Sequence, residues 1–298
     1  MKKEHVENEI QKLSPEQFPP LLSEIADPPK HLYVRGTSPN DTPNNMKFLC
    51  VVGSRKYSPY GKTVCEKLIA GLRGYNVGII SGLALGIDAI AHNSALDANL
   101  HTISVPGSGL GWDVLYPRSH NVLARRILES GGTLLSEYEE HTKAALYTFP
   151  QRNRIMAGLS HAVLVIEAEE RSGTLITSRL ATEYNRDVLT VPASILSPTS
   201  AGPHMLIRLG ATPIRNSDDI LEALHIEASV ETKPNCATPS VAQLSENEQK
   251  IWKLLERPLA RDELIQQLNL SIQEINVLLS IMEIKGLIHE QMGLLQKK

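Results

Sequence analysis

The sequence predicts an α/β fold: a doubly wound, mostly parallel sheet, followed by a small domain of three helices and a hairpin. Three observations predict it. From Lys47 onward, short β-branched runs alternate with amphipathic stretches in a βαβα rhythm. Those runs are apolar throughout rather than at every second residue, as strands covered by helices on both faces are. Near residue 228 the rhythm gives way to a segment rich in Pro, Thr and Ser, beyond which helical periodicity dominates.

The elements follow in order. FLCVVG is the first strand of the rhythm, and a helix is expected from Tyr60 to Leu72. VGIISG, TISVPG, TLLSE, AVLVIEA and DVLTVPAS are further strands, each a short apolar run ended by Gly, Pro or a polar residue. Between them, helical spacing marks GIDAIAHNSALDA, the stretch from His120 to Glu129, PQRNRIMAGLS and ITSRLATEYN. The segment ASVETKPNCATPSVAQ has no hydrophobic period and reads as a linker over 227–243. Beyond it, LSENEQKIWKLLE begins with Ser245 as N-cap and Glu248 three residues on, the pattern of a capping box. Two more amphipathic helices, LARDELIQQLNL and SIQEINVLLSIMEIKGLI, precede HEQMGLLQK, a short hairpin. Three helices and a wing make residues 244–298 a winged-helix-like domain.

Composition narrows the functional classes. The 298 residues, 42% of them hydrophobic, suffice for one sizeable core and a satellite domain. The N-terminus has no apolar run of signal-peptide length and no segment reaches the span of a membrane helix, so a cytoplasmic location with no membrane partner is expected. Cys50, Cys65 and Cys236 show no CxxC spacing, and the ten histidines are scattered singly, so neither a metal nor a cofactor is expected. A net charge of −3 excludes a uniformly basic surface; any nucleic-acid site is a local concentration of Arg and Lys.

In doubly wound sheets, ligands bind in the crevice at the carboxyl ends of the strands, so the loops after each strand carry the chemistry. In VVGSRKYSPYG, Gly53 ends a strand and Ser54, Arg55 and a helix N-terminus form a candidate anion site. No GxGxxG is present, which argues against a dinucleotide. In SGLALGIDAIAH, Asp88 and His92 share a helix face, either as a chemical pair or as residues that order the helix start. FPQRNRIMAGLS places Arg152 and Arg154 at a helix start beside Phe149, whose ring suits base stacking, with Asn153 between them. In EAEERSGT, Gly173 and Thr174 open another helix, with Thr174 either a donor to phosphate or a plain N-cap. Together these loops are expected to form a basic, Gly-lined groove suited to a strand of nucleic acid. The last domain differs: seven Lys/Arg stand against eight Asp/Glu from Leu244 to Lys298, and its third helix carries Glu274 and Glu283. A protein-contacting role fits it better than duplex reading.

The ordered set FPPLLSEIADPPKHLYVRG, VVGSRKYSPYG, SGLALGIDAIAH, YPRSHNVLARRI, LLSEY, FPQRNRIMAGLS, VLVIEAEERSGTLITSRLATEYNRDVLTVP and GPHMLIRLGATPI resembles the DNA-processing protein A (DprA/Smf) family from about Phe18 to His225. The resemblance implies a Rossmann-like DNA-binding domain, here 44–226, preceded over 1–43 by an N-terminal extension holding a truncated helical region. It implies binding of single-stranded DNA, loading of the RecA recombinase during natural transformation, self-association as a homodimer, and no catalytic turnover. Carried over by position, the DNA-binding set is Ser54, Arg55, Phe149, Arg152, Asn153, Arg154, Gly173 and Thr174, and the dimer interface includes Met205, Leu206, Ile207 and Leu209. Ala193 and His204 depart from the family's pattern beside that interface. Two alternatives remain. A nucleotide phosphoribohydrolase would need a Pro-Gly-Gly-x-Gly-Thr-x-x-Glu run where this chain has PGSGLGWDV, and a nucleotide-sensing protein would use the same crevice for a small phosphorylated ligand.

Overall fold

The computed structural model describes residues 9–43, 45–227, 245–255, 259–268, 270–284, 287–291 and 294–297. Except for Glu227, the expected linker lies outside the described residues, as does Cys236. The chain divides into two compact units, Met1–Ser229 and Val230–Lys298.

In the first unit nine strands among the described residues form one sheet. They are β1 (Gln11–Leu13), β2 (Leu32–Gly36), β3 (Lys47–Val52), β4 (Val77–Ser81), β5 (Thr102–Ser104), β6 (Thr133–Ser136), β7 (Ala162–Val165), β8 (Asp187–Thr190) and β9 (Thr212–Pro213). Their order is β1-β2-β6-β5-β4-β3-β7-β8-β9. The seven strands from β6 to β9 in that order pair in parallel; β1 and β2 add on antiparallel at one end, β2 against β6. Successive strands run outward from β3 as far as β6, and the chain then returns to β7 on the other side of β3. The topological switch therefore lies between β3 and β7.

Alternation along each strand explains why the runs are apolar throughout. Leu49 and Val51 enter one hydrophobic cluster and Cys50 and Val52 the other, all of them buried. On the first face lie α2 (Pro59–Ala70), α3 (Ile87–Asp97) and α8 (Ser217–Ala223), with α4 (Asn121–Glu129) closing a smaller cluster over Leu134. On the second lie α1 (Pro20–Ser23), α5 (Thr148–Leu159), α6 (Thr174–Glu183) and α7 (Ala201–Arg208). Each fully buried Leu or Ile contributes about 1.5–3 kcal/mol, so this two-sided core is the dominant stabilising term.

In the N-terminal extension the longest helix among the described residues is the four-residue α1, and β1 and β2 pair at the sheet edge. Arg154 and Arg186 tie the intervening loop down: Arg154 donates to the Asp27 carbonyl and Arg186 to the Leu21 carbonyl.

The second unit contains α9 (Glu246–Leu254), α10 (Arg261–Gln267) and α11 (Ile272–Ile284), with a three-stranded sheet of β10 (Leu259–Ala260), β11 (Ile288–Gln291) and β12 (Leu294–Lys297) in the order β10-β12-β11. Its own core gathers Ile251, Leu264, Ile275, Leu279, Met282 and Leu295. Ser245 and Glu248 form the expected capping box.

Candidate functional site

At the switch point, the loop after β3 leads to a helix on one face and the loop after β7 to a helix on the other, and the two diverge around a pocket of about 490 Å³. Ser54, Arg55, Phe149, Arg152, Asn153, Gly173 and Thr174 all line it; of the expected set only Arg154 does not.

The loop after β3 is built by contacts that sequence alone does not show. Gly86, at φ +86°, packs against it so closely that a Cβ there would lie 2.6 Å from the Arg55 Cα and collide with the Ser54 carbonyl oxygen. Ile87 donates its amide to that carbonyl at 3.2 Å. The Ser54 hydroxyl is turned inward: it donates to the Lys56 carbonyl at 2.9 Å and accepts from the Lys56 amide at 3.1 Å, closing the turn rather than facing a ligand. The N-terminus of α2 is also not the open anion site expected. Ser58 caps it, and the buried Glu167 carboxylate accepts from the Ser58 amide (2.9 Å) and hydroxyl (2.6 Å) and from Thr199 (3.0 Å). The anion at this helix start is the protein's own, which fixes the loop and leaves Arg55 and Lys56 as its exposed cations.

Both arginines of FPQRNR are engaged with other groups of the chain. Helix α5 begins at Thr148, whose hydroxyl donates to the Gly107 carbonyl, so Arg152 lies in the second turn and points beneath the pocket floor. It is 5% exposed, donates to the carbonyls of Gly82 and Val105 at the ends of β4 and β5 and to Asn153 Oδ1 (2.9 Å), and faces Asp88 at 3.8 Å. Asp88 in turn accepts from the amides of Gly82 (3.1 Å) and Ala84 (3.4 Å). Burial pushes the Asp88 carboxyl up from its ordinary value, while Arg152 and those amides pull it back. The Asp88–His92 helix face thus orders the loop and helix start; His92 bonds Thr102 at 2.8 Å, and burial lowers its pKa to about 3. Arg154 points away from the pocket and pairs with Glu137 and with Asp27 (3.5 Å). The helix thus turns Arg152 inward and Arg154 toward the N-terminal loop.

Phe149 does face the pocket, half-buried over Gly107, with the Arg55 guanidinium 5.5 Å from its ring centre. Across the crevice Gly173 is the N-cap of α6, with open space where a Cβ would stand. Thr174 is therefore not the N-cap; its hydroxyl donates to the Gly53 carbonyl (3.2 Å) and joins the two loops. The expected Gly-lined groove is present, but its positive charge rests on Arg55 and Lys56, set against Glu169. Lys56 and Glu167 were not among the expected site residues; the Arg-Lys pair in GSRK was the available signal for Lys56, whereas Glu167 lies 109 residues from the serine it holds.

Of the expected dimer residues, Met205, Leu206 and Leu209 line a separate apolar groove of about 560 Å³. Leu206 is buried there and Leu209 is 76% exposed. The two departures from the family pattern meet beside it, with His204 Nε2 bonded to the Ala193 carbonyl at 2.9 Å.

The family model for DNA recombination-mediator protein A matches residues 10–225, and that for the DprA winged helix domain matches residues 236–293. The chain belongs to this family. Protein Smf of Escherichia coli is 44% identical over 214 residues, 70% of this chain and 54% of that protein, so the chain spans about half the length of that relative. The X-ray structure of DNA processing protein A from Streptococcus pneumoniae is 39% identical with a TM-score of 0.65, covering 73% of this chain and 75% of that one. DNA processing protein A from Helicobacter pylori, described for its single-stranded DNA binding mode, is 29% identical with a TM-score of 0.64, covering 73% and 96%. As a DprA family member, the chain joins a Rossmann-like α/β unit to a winged-helix unit. On the DprA winged helix, the described side chains of α11 expose Gln273, Glu274, Val277, Ser280, Ile281 and Glu283, with no basic residue among them.

Proposed function

We propose that the switch-point pocket binds single-stranded DNA and that the chain delivers such DNA to the RecA recombinase during transformation or recombination, without chemical turnover. The observation that carries this reading is the Arg55–Phe149 pair at the pocket rim. Arg55 is exposed and has no carboxylate partner among the described residues, and it lies over an aromatic ring. A cation and a π-face side by side match a phosphate and an unstacked base, and duplex DNA hides the second of these. The single-stranded DNA binding of the Helicobacter pylori relative supports the same reading. In this proposal Arg55 and Lys56 neutralise phosphates, Gly173 lets the backbone approach, and Arg152, Asn153 and Thr174 hold the pocket's shape.

Two copies are proposed to associate through α7, where Leu209 is exposed beside the apolar groove. A cytoplasmic location belongs to the same proposal; among the described residues no helix is long and apolar enough to cross a membrane.

The test is fluorescence anisotropy with labelled single-stranded and duplex oligonucleotides across a salt series. Single strands should bind in preference to duplex, with a logarithmic salt slope of about −0.7 per phosphate neutralised, and Arg55→Glu should abolish the preference while leaving the fold intact. Tight binding of a mononucleotide, with no gain from longer strands, would instead make the pocket a nucleotide sensor's.

A further inference from the structure

Beyond the Arg55–Phe149 pair lies a small cleft of about 20 Å³ lined by Gly82, Ala84, Leu85, Tyr116 and Pro117. Arg55 and Phe149 belong to both this cleft and the main pocket, so they form the ridge between two adjacent hollows. We propose that Tyr116 is a second base platform, which receives the nucleotide next to the one held in the main pocket. The proposal rests on the single-stranded DNA reading above.

Three observations carry it. Phe149 is half-buried: a Cβ on Gly107 would stand 2.6 Å from its Cδ1, the Arg55 guanidinium lies 5.5 Å from its ring centre, and Tyr116 meets it at 5.6 Å with a 58° tilt. Two rings in tilted contact leave no slot for a base between them, so each offers a separate outer surface. Tyr116 offers the more open one. Tyr116 is 47% exposed, Leu85 in the same cleft is 49% exposed, and the Tyr116 hydroxyl has no hydrogen-bond partner among the described residues. Its backbone is nevertheless fixed, because its amide donates to Ser108 Oγ at 3.2 Å and the Ser108 carbonyl accepts from Ser136. Finally, the cleft has Arg55 on its rim and no carboxylate among its lining residues, so a phosphodiester can cross the ridge over Arg55 while bases fall to either side.

An exposed ring on a pinned backbone loses little conformational freedom on binding, which suits a stacking platform. A base needs only its π-face for such a contact, so the second platform adds affinity without adding sequence preference. The chain should then gain affinity on going from a mononucleotide to a short oligonucleotide.

The experiment measures binding of thymidine monophosphate and of a labelled oligo-dT to wild type, Tyr116→Ala and Tyr116→Phe. Tyr116→Ala should weaken oligo-dT binding by about 5- to 150-fold, the range expected for one stacked base, while the monophosphate binds as before and Tyr116→Phe retains wild-type affinity. A second measurement uses wild type alone: an oligonucleotide bearing 5-iodouracil is irradiated on the protein and the attachment site mapped, with a cross-link expected at Tyr116. This arm decides the matter if Tyr116→Ala fails to fold. Wild type that binds oligo-dT, with Tyr116→Ala unchanged in affinity or cross-links that avoid Tyr116, overturns this inference alone. Wild type that binds no single strand overturns the underlying reading as well.

Discussion

The Arg152 guanidinium and the Asp88 carboxylate face each other 3.8 Å apart beneath the pocket, each with a side chain less than a tenth exposed. Arg152 also holds the carbonyls that end β4 and β5, so one side chain gathers three chain segments under the site. Removing one member of such a pair leaves the other charged, buried and alone, which costs about 3–5 kcal/mol. Arg152→Ala should lower stability by that amount in urea unfolding, and a paired Arg152→Met/Asp88→Leu variant should recover part of the loss. An Arg152→Ala protein of wild-type stability that no longer bound DNA would make Arg152 a ligand contact instead.

Arg154 gives the opposite contrast to Arg55. It bonds Glu137 and the Asp27 backbone, and burial pushes the Glu137 carboxyl up from its ordinary value against the pull of Arg154. Arg154→Ala should reduce stability by about 1.5–3 kcal/mol, the range for hydrogen bonds to charged groups, and leave oligonucleotide affinity unchanged. Anisotropy at a temperature where both proteins are folded checks this; a large loss of affinity there would place Arg154 in the interface.

Gly86 and Gly74 form a natural control pair. Both have positive φ, +86° and +84°, but a Cβ at Gly86 strikes the loop that carries Arg55 whereas a Cβ at Gly74 meets open space. Alanine at either position carries a backbone cost of about 1–3 kcal/mol. Only Gly86→Ala should also displace the loop and weaken single-stranded DNA binding, and equal binding by both variants would show that the loop's position is unimportant.

His92 sets a pH dependence. Burial holds its pKa at about 3, below the ordinary 6.5, so between those values the unfolded chain takes up a proton that the native imidazole does not. Its contribution is fully present above pH 6.5 and is lost as pH falls toward 3. His161 acts in the same direction, with burial, Lys47 and Arg186 lowering it to about 4 while its Nδ1 accepts from the Phe48 amide. Chemical denaturation from pH 7 to 4.5 should show falling stability, and His92→Asn should flatten that fall. An unaltered slope in the variant would remove His92 from the account.

The parallel strands were legible because their residues are apolar on both faces, and the loops after them were legible as the lining of the candidate site because a doubly wound sheet leaves its crevice there. What was hidden depended on which way a side chain turned. The helical spacing of PQRNRIMAGLS suggested a helix beginning at Pro150, but it starts two residues earlier at Thr148, and its inner face, not its start, holds Arg152. An arginine that satisfies two strand ends from within reads, in one dimension, like an arginine that waits for phosphate. β1 and β2 were hidden for another reason: QKL is too short to show a period, and LYVRG buries Arg35, whose guanidinium lies 4.7 Å from the Trp112 ring. Glu167 shows the same limit, since only the folded chain brings it to Ser58.

The two ends of the large sheet bear on how the chain behaves at high concentration. A long parallel sheet cut off bare would offer a row of unpaired amides and carbonyls to any extended peptide, including another copy caught part-folded. Here, among the described residues, one border is β1, three residues long, and the other is β9, two residues long and ending in Pro213, which has no amide hydrogen to give. Both margins are too short to template a further strand, so the most apolar strands of the molecule sit well inside a sheet that resists growing edge to edge.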